Sequence, residues 1–105
     1  LEHLPVKNSE IDAAVLNMVL HYISQPGQAI AEVYRALKPG GIFVLSDFEK
    51  HHNETIKDIM GESWMGFESK AVARWLTENG FKVKSVDSSS VKHNLKINIF
   101  TSIKS

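Results

Sequence analysis

Two short apolar runs, at residues 11–16 and 42–45, constrain the fold of this chain more than any other feature. Neither run shows the strict polar alternation of a strand that faces water on one side. Each is too short for a stable helix of its own, so each predicts a strand buried on both faces. Strands of this kind are typical of parallel sheets that are covered by helices.

The sequence between the two runs predicts an amphipathic helix. Pro26 and Gly27 open this stretch, and its apolar residues follow helical spacing: Ile30, Val33, Tyr34 and Leu37. The segment KPGG at residues 38–41 ends the helix, since proline cannot continue it and the glycines permit a sharp reversal. Strand, helix and strand with short connections predict a right-handed βαβ unit.

The second half of the chain predicts a helix and two strands. Residues 67–79 carry apolar side chains on one helical face, and Gly80 is a natural stop. Residues 81–84 alternate as a half-exposed strand, and residues 95–102 alternate as a final strand. The serines at 88–90 predict a loop or hairpin between the two strands. One or two helical turns are also expected within residues 55–60.

These elements together predict an α/β fold in the order β-α-β-(α)-α-β-β. A mostly parallel sheet is expected, with helices on the faces and a closing hairpin that makes the last strand antiparallel. The 105 residues suit one compact domain, so residues 1–105 are predicted to form a single unit.

Composition narrows the classes of partner and location. Twelve basic and twelve acidic side chains cancel, so net charge indicates attraction neither to nucleic acid nor to a membrane surface. The absence of cysteine excludes disulfides and thiolate metal sites and is compatible with the cytoplasm, which is the predicted location. No leader pattern opens the chain, and Leu1 in place of methionine suggests a cut or processed product.

Three segments carry a resemblance to a known family: LEHLP at residues 1–5 before the first apolar run, VLHYI at 19–23, and IAEVYRALKPGG at 30–41. In this order they resemble the C-terminal half of class I S-adenosylmethionine-dependent methyltransferases, most closely the ubiquinone/menaquinone-biosynthesis type. WMGF at 64–67 and NGF at 79–81 are also similar to elements of many members. The resemblance covers essentially the whole chain, and the LKPGG block is its most specific part.

The resemblance implies a Rossmann-like methyltransferase domain that uses S-adenosylmethionine to methylate a small molecule. It also implies a partial domain, because the glycine-rich Gly-x-Gly-x-Gly loop of the family's N-terminal half is not in these residues. The residues it assigns to the cofactor wall are Leu1, Asn17, Met18 and His21. Half of the cofactor contacts would come from other sequence, so weak or no binding is expected from this chain alone.

The catalytic residue is unknown from sequence, with His21 and Asp47 as weak candidates. His21 is either a base, since imidazole titrates near neutral pH, or a packed loop histidine. Asp47 follows a strand at the end where functional carboxylates gather, but a loop-capping role is equally consistent. Asn17 is similarly either part of the cofactor wall or a strand-to-loop cap.

His51, Trp64 and Phe67 are predicted to line the pocket for the methyl acceptor. Flat apolar walls suit small organic substrates, but packing of a helix onto the sheet would use the two aromatic residues equally well. No metal site is predicted, because the adjacent His51 and His52 are poorly spaced for one metal and no cysteine or paired carboxylate completes a set.

Three functions remain open at this point. The first is a small-molecule methyltransferase of which this chain is the C-terminal portion. The second is a non-catalytic fold remnant or self-pairing module, since the apolar residues 13–16 would form an exposed edge that favours self-association. The third is half of another Rossmann-like enzyme, which would share the βαβ core but not the LKPGG block.

Overall fold

The computed structural model describes residues 7–17, 25–49, 67–90 and 95–104. Their elements, in chain order, are β1 (Ile11–Asn17), α1 (Pro26–Ala36), β2 (Leu37–Phe48), α2 (Ser69–Glu78), β3 (Phe81–Ser90) and β4 (Lys96–Lys104). This confirms the predicted alternation of strands and helices within the described residues. The helical turns predicted at residues 55–60 lie outside them. No helix in the described part of the chain is long and apolar enough to cross a membrane.

The four strands form one mixed sheet in the order β1-β2-β4-β3. β1 and β2 are parallel, whereas β4 is antiparallel to both β2 and β3. The expectation of a mostly parallel sheet is therefore wrong, although the closing antiparallel hairpin is confirmed. The physical reason is that the last strand inserts between β2 and β3, so two of the three strand pairs contain the one strand that runs the opposite way.

Helix α1 forms and ends as its sequence predicts. Pro26 occupies the start of the helix, where its missing N–H costs nothing. The helix ends at Ala36, and Leu37 is already extended. Gly40 has a φ of +83°, a conformation that side chains disfavour, so glycine is needed there. Strand β2 begins at Leu37. Residues 38–41, which were predicted to form a turn, therefore form the irregular start of that strand.

The residues before β1 are bound to the end of α1. The N–H groups of Ser9 and Glu10 donate to the carbonyls of Arg35 and Ala36 at 2.9 and 2.8 Å. Arg35 also donates to Asn8 Oδ1 at 2.9 Å and to the carboxylate of Glu32. That hydrogen bond to Glu32 raises the pKa of Arg35 above its ordinary value. These contacts satisfy terminal carbonyls of the helix and fix where β1 enters the sheet.

Both described helices pack on the same face of the sheet. Leu45 of β2 lies opposite Phe100 of β4, and both side chains are buried beneath the helices. The core combines residues of both helices and three strands: Ile30, Val33, Leu37, Phe43, Leu45, Val72, Leu76, Phe81 and Phe100. Helices on both faces were predicted; among the described residues they cover one face only.

The prediction of a first strand buried on both faces is wrong. β1 is an edge of the four-stranded sheet, and its residues alternate between half-buried and exposed. Val15, on the face away from the helices, is 66% exposed. The face of β1 that carries Ala13 and Val15 therefore has no matching cover among the described residues, whereas Ala14 and Leu16 pack against the core.

Gly80 makes the tight turn between α2 and β3. Its φ is +97°, and its N–H donates to the carbonyl of Thr77 at 3.0 Å. The predicted glycine stop is confirmed. β3 then continues to Ser90, so the serines at 88–90 lie in a strand and not in the predicted loop. These serines pair with β4, so the two strands are hydrogen-bonded through their backbones up to Ser90.

Candidate functional site

Two polar side chains meet where the parallel strands β1 and β2 end. Asn17 is the last residue of β1 and lies directly opposite Ser46 of β2. The Ser46 hydroxyl donates to Asn17 Oδ1 at 2.5 Å. Ser46 is buried and Asn17 is exposed, so the buried hydroxyl orients an amide that remains accessible. Ligands of open α/β sheets bind beyond the carboxyl ends of the strands, which is the position of this pair.

Asp47 lies next to this pair along β2 but on the opposite face. Neighbouring strand residues point to opposite sides, so Asp47 projects to the helix-covered face, where it is 3% exposed. Its Oδ1 accepts the N–H of Phe48 at 2.8 Å. The two candidates Asn17 and Asp47 therefore share an end of the sheet but not a pocket.

A polar row crosses the sheet beside Asp47. Asn98 lies opposite Asp47 on one side and opposite Ser88 on the other. The Ser88 hydroxyl donates to Asn98 Oδ1 at 2.7 Å, and Asn98 is buried. Sequence reasoning missed Asn98 and the hydrogen bond between Ser46 and Asn17. The available signal was a polar residue inside an otherwise apolar strand, which alone does not tell the buried face from the exposed one.

Phe67, a predicted pocket residue, lies just before α2. Its N–H donates to the carbonyl of Phe48 at 2.9 Å, which joins this segment to the end of β2. Its half-buried ring packs edge-on against Trp75 of α2, with centroids 5.7 Å apart. These contacts agree with helix packing, and a role in binding the methyl acceptor stays a prediction.

The remaining predicted site residues lie outside the described ranges: Leu1, Met18, His21, His51 and Trp64. Their assignment to cofactor, catalysis or substrate pocket stays a prediction. Among the residues that are described, no three histidine, cysteine, aspartate or glutamate side chains group closely enough to hold a metal ion.

An apolar groove of about 230 Å³ runs along β1 beneath α1. Ala14 and Leu16 of β1 lie on its sheet side, and Ala29 and Val33 of α1 lie on its helix side. The groove follows the edge of the sheet and not the strand ends, so it is distinct from the polar pair of Asn17 and Ser46.

The fold identifies the class of protein to which this chain is similar. It superimposes on a solved S-adenosylmethionine-dependent methyltransferase of Thermotoga maritima with a TM-score of 0.81 and 20% sequence identity. The alignment covers 99% of this chain and 61% of that chain. At this identity the likeness shows a shared α/β fold with a mixed sheet.

Comparison of sequences also finds similarity to methyltransferases. The profile of the family described as "Methyltransferase domain" matches residues 1–45. The chain is 31% identical over 64 residues to the malonyl-[acyl-carrier protein] O-methyltransferase of Yersinia pestis, covering 61% of this chain and 22% of the relative. It is 31% identical over 75 residues to the ubiquinone/menaquinone biosynthesis C-methyltransferase UbiE of Methylococcus capsulatus, covering 69% and 30%.

The family match and the relatives together indicate similarity to methyltransferases, and the fold is similar to that of a solved S-adenosylmethionine-dependent methyltransferase. The matched region spans only 22% to 30% of the length of these two curated relatives. The two relatives also differ in their named reactions, one an O-methyltransferase and the other a C-methyltransferase. The likeness therefore supports the class without selecting an acceptor.

The described residues fit one part of an S-adenosylmethionine site. Asn17 offers an accessible amide at the strand ends, and Ser46 holds its oxygen in place. A cofactor of this kind also needs backbone that approaches closely, which glycine-rich loops provide. The glycines of the described residues do not form such a loop after β1, because Gly27 lies within α1 and Gly40 and Gly41 open β2. This end of the sheet can thus supply one wall of the site.

Proposed function

We propose that this chain is part of an S-adenosylmethionine-dependent methyltransferase that acts on a small molecule. The observation that carries the proposal is the methyltransferase-domain match over residues 1–45, which includes all of β1 and α1. That unit ends β1 at Asn17, where open α/β sheets bind ligands. The lengths of the relatives support a longer parent protein in which residues 1–105 are one portion.

Methyl transfer depends mainly on how the cofactor and the acceptor are positioned relative to each other. S-adenosylmethionine supplies a methyl group on a positively charged sulfur, and transfer is an in-line displacement by the acceptor atom. Holding the reactants in line near attack distance contributes much of the rate of such a reaction. In this proposal Asn17 contributes to the cofactor wall. Ser46 orients the Asn17 side chain by donating a hydrogen bond to its Oδ1.

The acceptor class is proposed from the relatives. One is named for malonyl-[acyl-carrier protein] and the other for ubiquinone and menaquinone biosynthesis. Both names support an organic acceptor in place of a nucleic acid. Phe67 and Trp75 form an aromatic pair next to the end of β2, which suits the flat wall of an organic substrate pocket.

The location proposed for the protein is the cytoplasm.

The test is calorimetric titration of the full-length gene product with S-adenosylhomocysteine. We expect saturable heat and a rise in melting temperature, because a ligand that binds only the folded state stabilises it. The 105-residue chain titrated alongside should bind weakly or not at all. Absence of heat and of any thermal shift in the full-length product at millimolar ligand would reject the proposal.

A second candidate function is a non-catalytic module that acts by self-pairing. The specific observation in its favour is the exposed apolar edge strand β1, with Val15 largely in solvent. The intact mass of the native product separates the two candidates. A mass near 11.8 kDa would favour the module, and a mass about twofold higher or more would favour the enzyme.

A further inference from the structure

Strand β2 changes its backbone partner where β1 ends. Asn17, the last residue of β1, lies opposite Ser46. Further along β2, Glu49 pairs in parallel with Phe67. The N–H of Glu49 donates to β4, and neighbouring strand residues direct their backbone groups to opposite sides, so those of Phe48 face the side of β1. Phe67 therefore lies beside β2 in line with β1, about 10 Å beyond Asn17.

Both backbone groups of Phe48 on this side have partners. Its N–H donates to Asp47 Oδ1 at 2.8 Å, and its carbonyl accepts the N–H of Phe67 at 2.9 Å. Strand β1 supplies partners to β2 only as far as Asn17, where it ends. The carboxylate of Asp47 thus takes the place of a neighbouring strand and fixes the peptide to which Phe67 is hydrogen-bonded.

The burial of Asp47 indicates why its carboxylate matters. Leu45, two residues earlier on the same face, is fully buried in the apolar core, and Asp47 is only 3% exposed. A carboxylate at this depth opposes folding unless hydrogen bonds compensate. Asn98 lies opposite Asp47, is also buried and accepts the hydroxyl of Ser88, so a polar row flanks the carboxylate. Packing alone would favour an apolar side chain here, so what the carboxylate adds is hydrogen bonding, including the bond to Phe48.

We propose that Asp47 is a positioning residue of the ligand site. Through Phe48 it holds Phe67 in place, and Phe67 bounds the site on the side opposite Asn17. This inference rests on the proposed function, in which Asn17 lines the cofactor site. The ligand then lies between an accessible amide and an aromatic ring that packs against Trp75. In this role Asp47 touches neither cofactor nor acceptor and takes no proton, so its accepting oxygen is needed and its charge is not.

Two substitutions of Asp47 in the full-length protein separate the oxygen from the charge. Asp47→Asn keeps an oxygen that can accept the Phe48 N–H, whereas Asp47→Leu removes it. In calorimetric titration with S-adenosylhomocysteine, the dissociation constant should rise about tenfold for Asp47→Leu and stay within about twofold of wild type for Asp47→Asn. Hydrogen exchange of the Phe67 amide should accelerate about tenfold in Asp47→Leu and not in Asp47→Asn.

Leu45→Ala is the matched control for a loss of stability alone. Leu45 is buried on the same face of the same strand, and its truncation destabilises the core without removing a hydrogen bond. At a temperature where all variants are folded, Leu45→Ala should leave the dissociation constant within about twofold of wild type. A merely structural role of Asp47 would make Asp47→Leu and Leu45→Ala behave alike.

Three results would overturn the inference in different ways. Equal affinity of Asp47→Leu and wild type would remove Asp47 from the site and leave the proposed function standing. Equal losses in Asp47→Asn and Asp47→Leu would show that the charge itself is required. Absence of binding by the wild type would reject the proposed function together with this role.

A second pair of variants decides should Asp47→Leu fail to fold. Phe67→Pro lacks the N–H that Phe48 accepts, whereas Phe67→Ala keeps it, and both lack the ring. The proline variant should bind S-adenosylhomocysteine about tenfold more weakly than the alanine variant. Equal affinities of these two variants would contradict positioning through Phe48.

Discussion

The Ser46 hydroxyl donates a 2.5 Å hydrogen bond to Asn17 Oδ1, which joins β1 and β2 at the point where both parallel strands end. The acceptor is exposed and its donor is buried, so the sheet itself orients an accessible amide. This arrangement makes Asn17 the described residue through which binding at the strand ends is best tested.

Asn17→Ala should weaken binding of S-adenosylhomocysteine to the full-length protein about tenfold, which corresponds to one hydrogen bond of about 1.4 kcal/mol. The measurement is calorimetric titration, with the melting temperature of the free variant recorded in parallel. Ser85→Ala is the control, because Ser85 is an exposed polar residue of the edge strand β3, away from the ends of β1 and β2. Equal affinity of the Asn17 variant and the wild type would remove Asn17 from the cofactor wall.

Gly80→Ala should destabilise the chain by about 1–3 kcal/mol. A Cβ at this position would fall 2.8 Å from Tyr34 Cζ, and the φ of +97° is strained for alanine. Tyr34 cannot yield easily, because its ring packs edge-on against Phe81 at 5.1 Å. Urea unfolding measures the loss.

Gly27→Ala is the matched control for Gly80. Gly27 lies in the first turn of α1, and a Cβ there would contact nothing within 4 Å. Alanine favours helix over glycine by up to about 1 kcal/mol, so this variant should be neutral or slightly more stable. A loss equal to that of Gly80→Ala would refute the steric explanation.

Lys104→Met should lower the free energy of unfolding by about 1–2 kcal/mol. The Lys104 ammonium donates to the carbonyls of Tyr34 and Leu37 at 2.7 and 2.8 Å and lies 4.5 Å from the centroid of the Tyr34 ring. It thereby binds the end of α1, where a positive charge is favourable. Lys96→Met, at an exposed position of the same strand, should change stability by less than about 0.5 kcal/mol. Equal losses would show that Lys104 acts only as surface charge.

Leu76→Ala should cost about 2–5 kcal/mol, because Leu76 is fully buried in the core and its truncation leaves a cavity. The adjacent Thr77→Ala is the control: Thr77 is exposed, and its hydroxyl donates to the Ala73 carbonyl within the same helix. Chemical denaturation of both variants checks this difference. A Leu76 variant as stable as the Thr77 variant would contradict the assignment of α2 to the core.

Local pattern was enough to predict most elements of the fold. The stripe that includes Ile30 and Val33 predicted α1, and these residues are buried as the spacing requires. Gly80 predicted the end of α2 because few other residues tolerate its φ. The family resemblance, which rests on blocks such as LKPGG, agrees with the methyltransferase-domain match. The position of Asn17 at a strand end also followed from sequence, whereas its hydrogen bond with Ser46 did not.

Only the tertiary structure decided which face and which neighbour each strand has. Sequence periodicity reports how a residue alternates along its own strand, but pairing depends on contacts between distant segments. Insertion of β4 between β2 and β3 makes the sheet mixed and buries Asn98 beside Asp47. The apolar run of β1 specified a strand that favours burial on both faces, and its place at the edge leaves Val15 in solvent. The sequence thus determined what each segment prefers, and the fold decided which of those preferences are met.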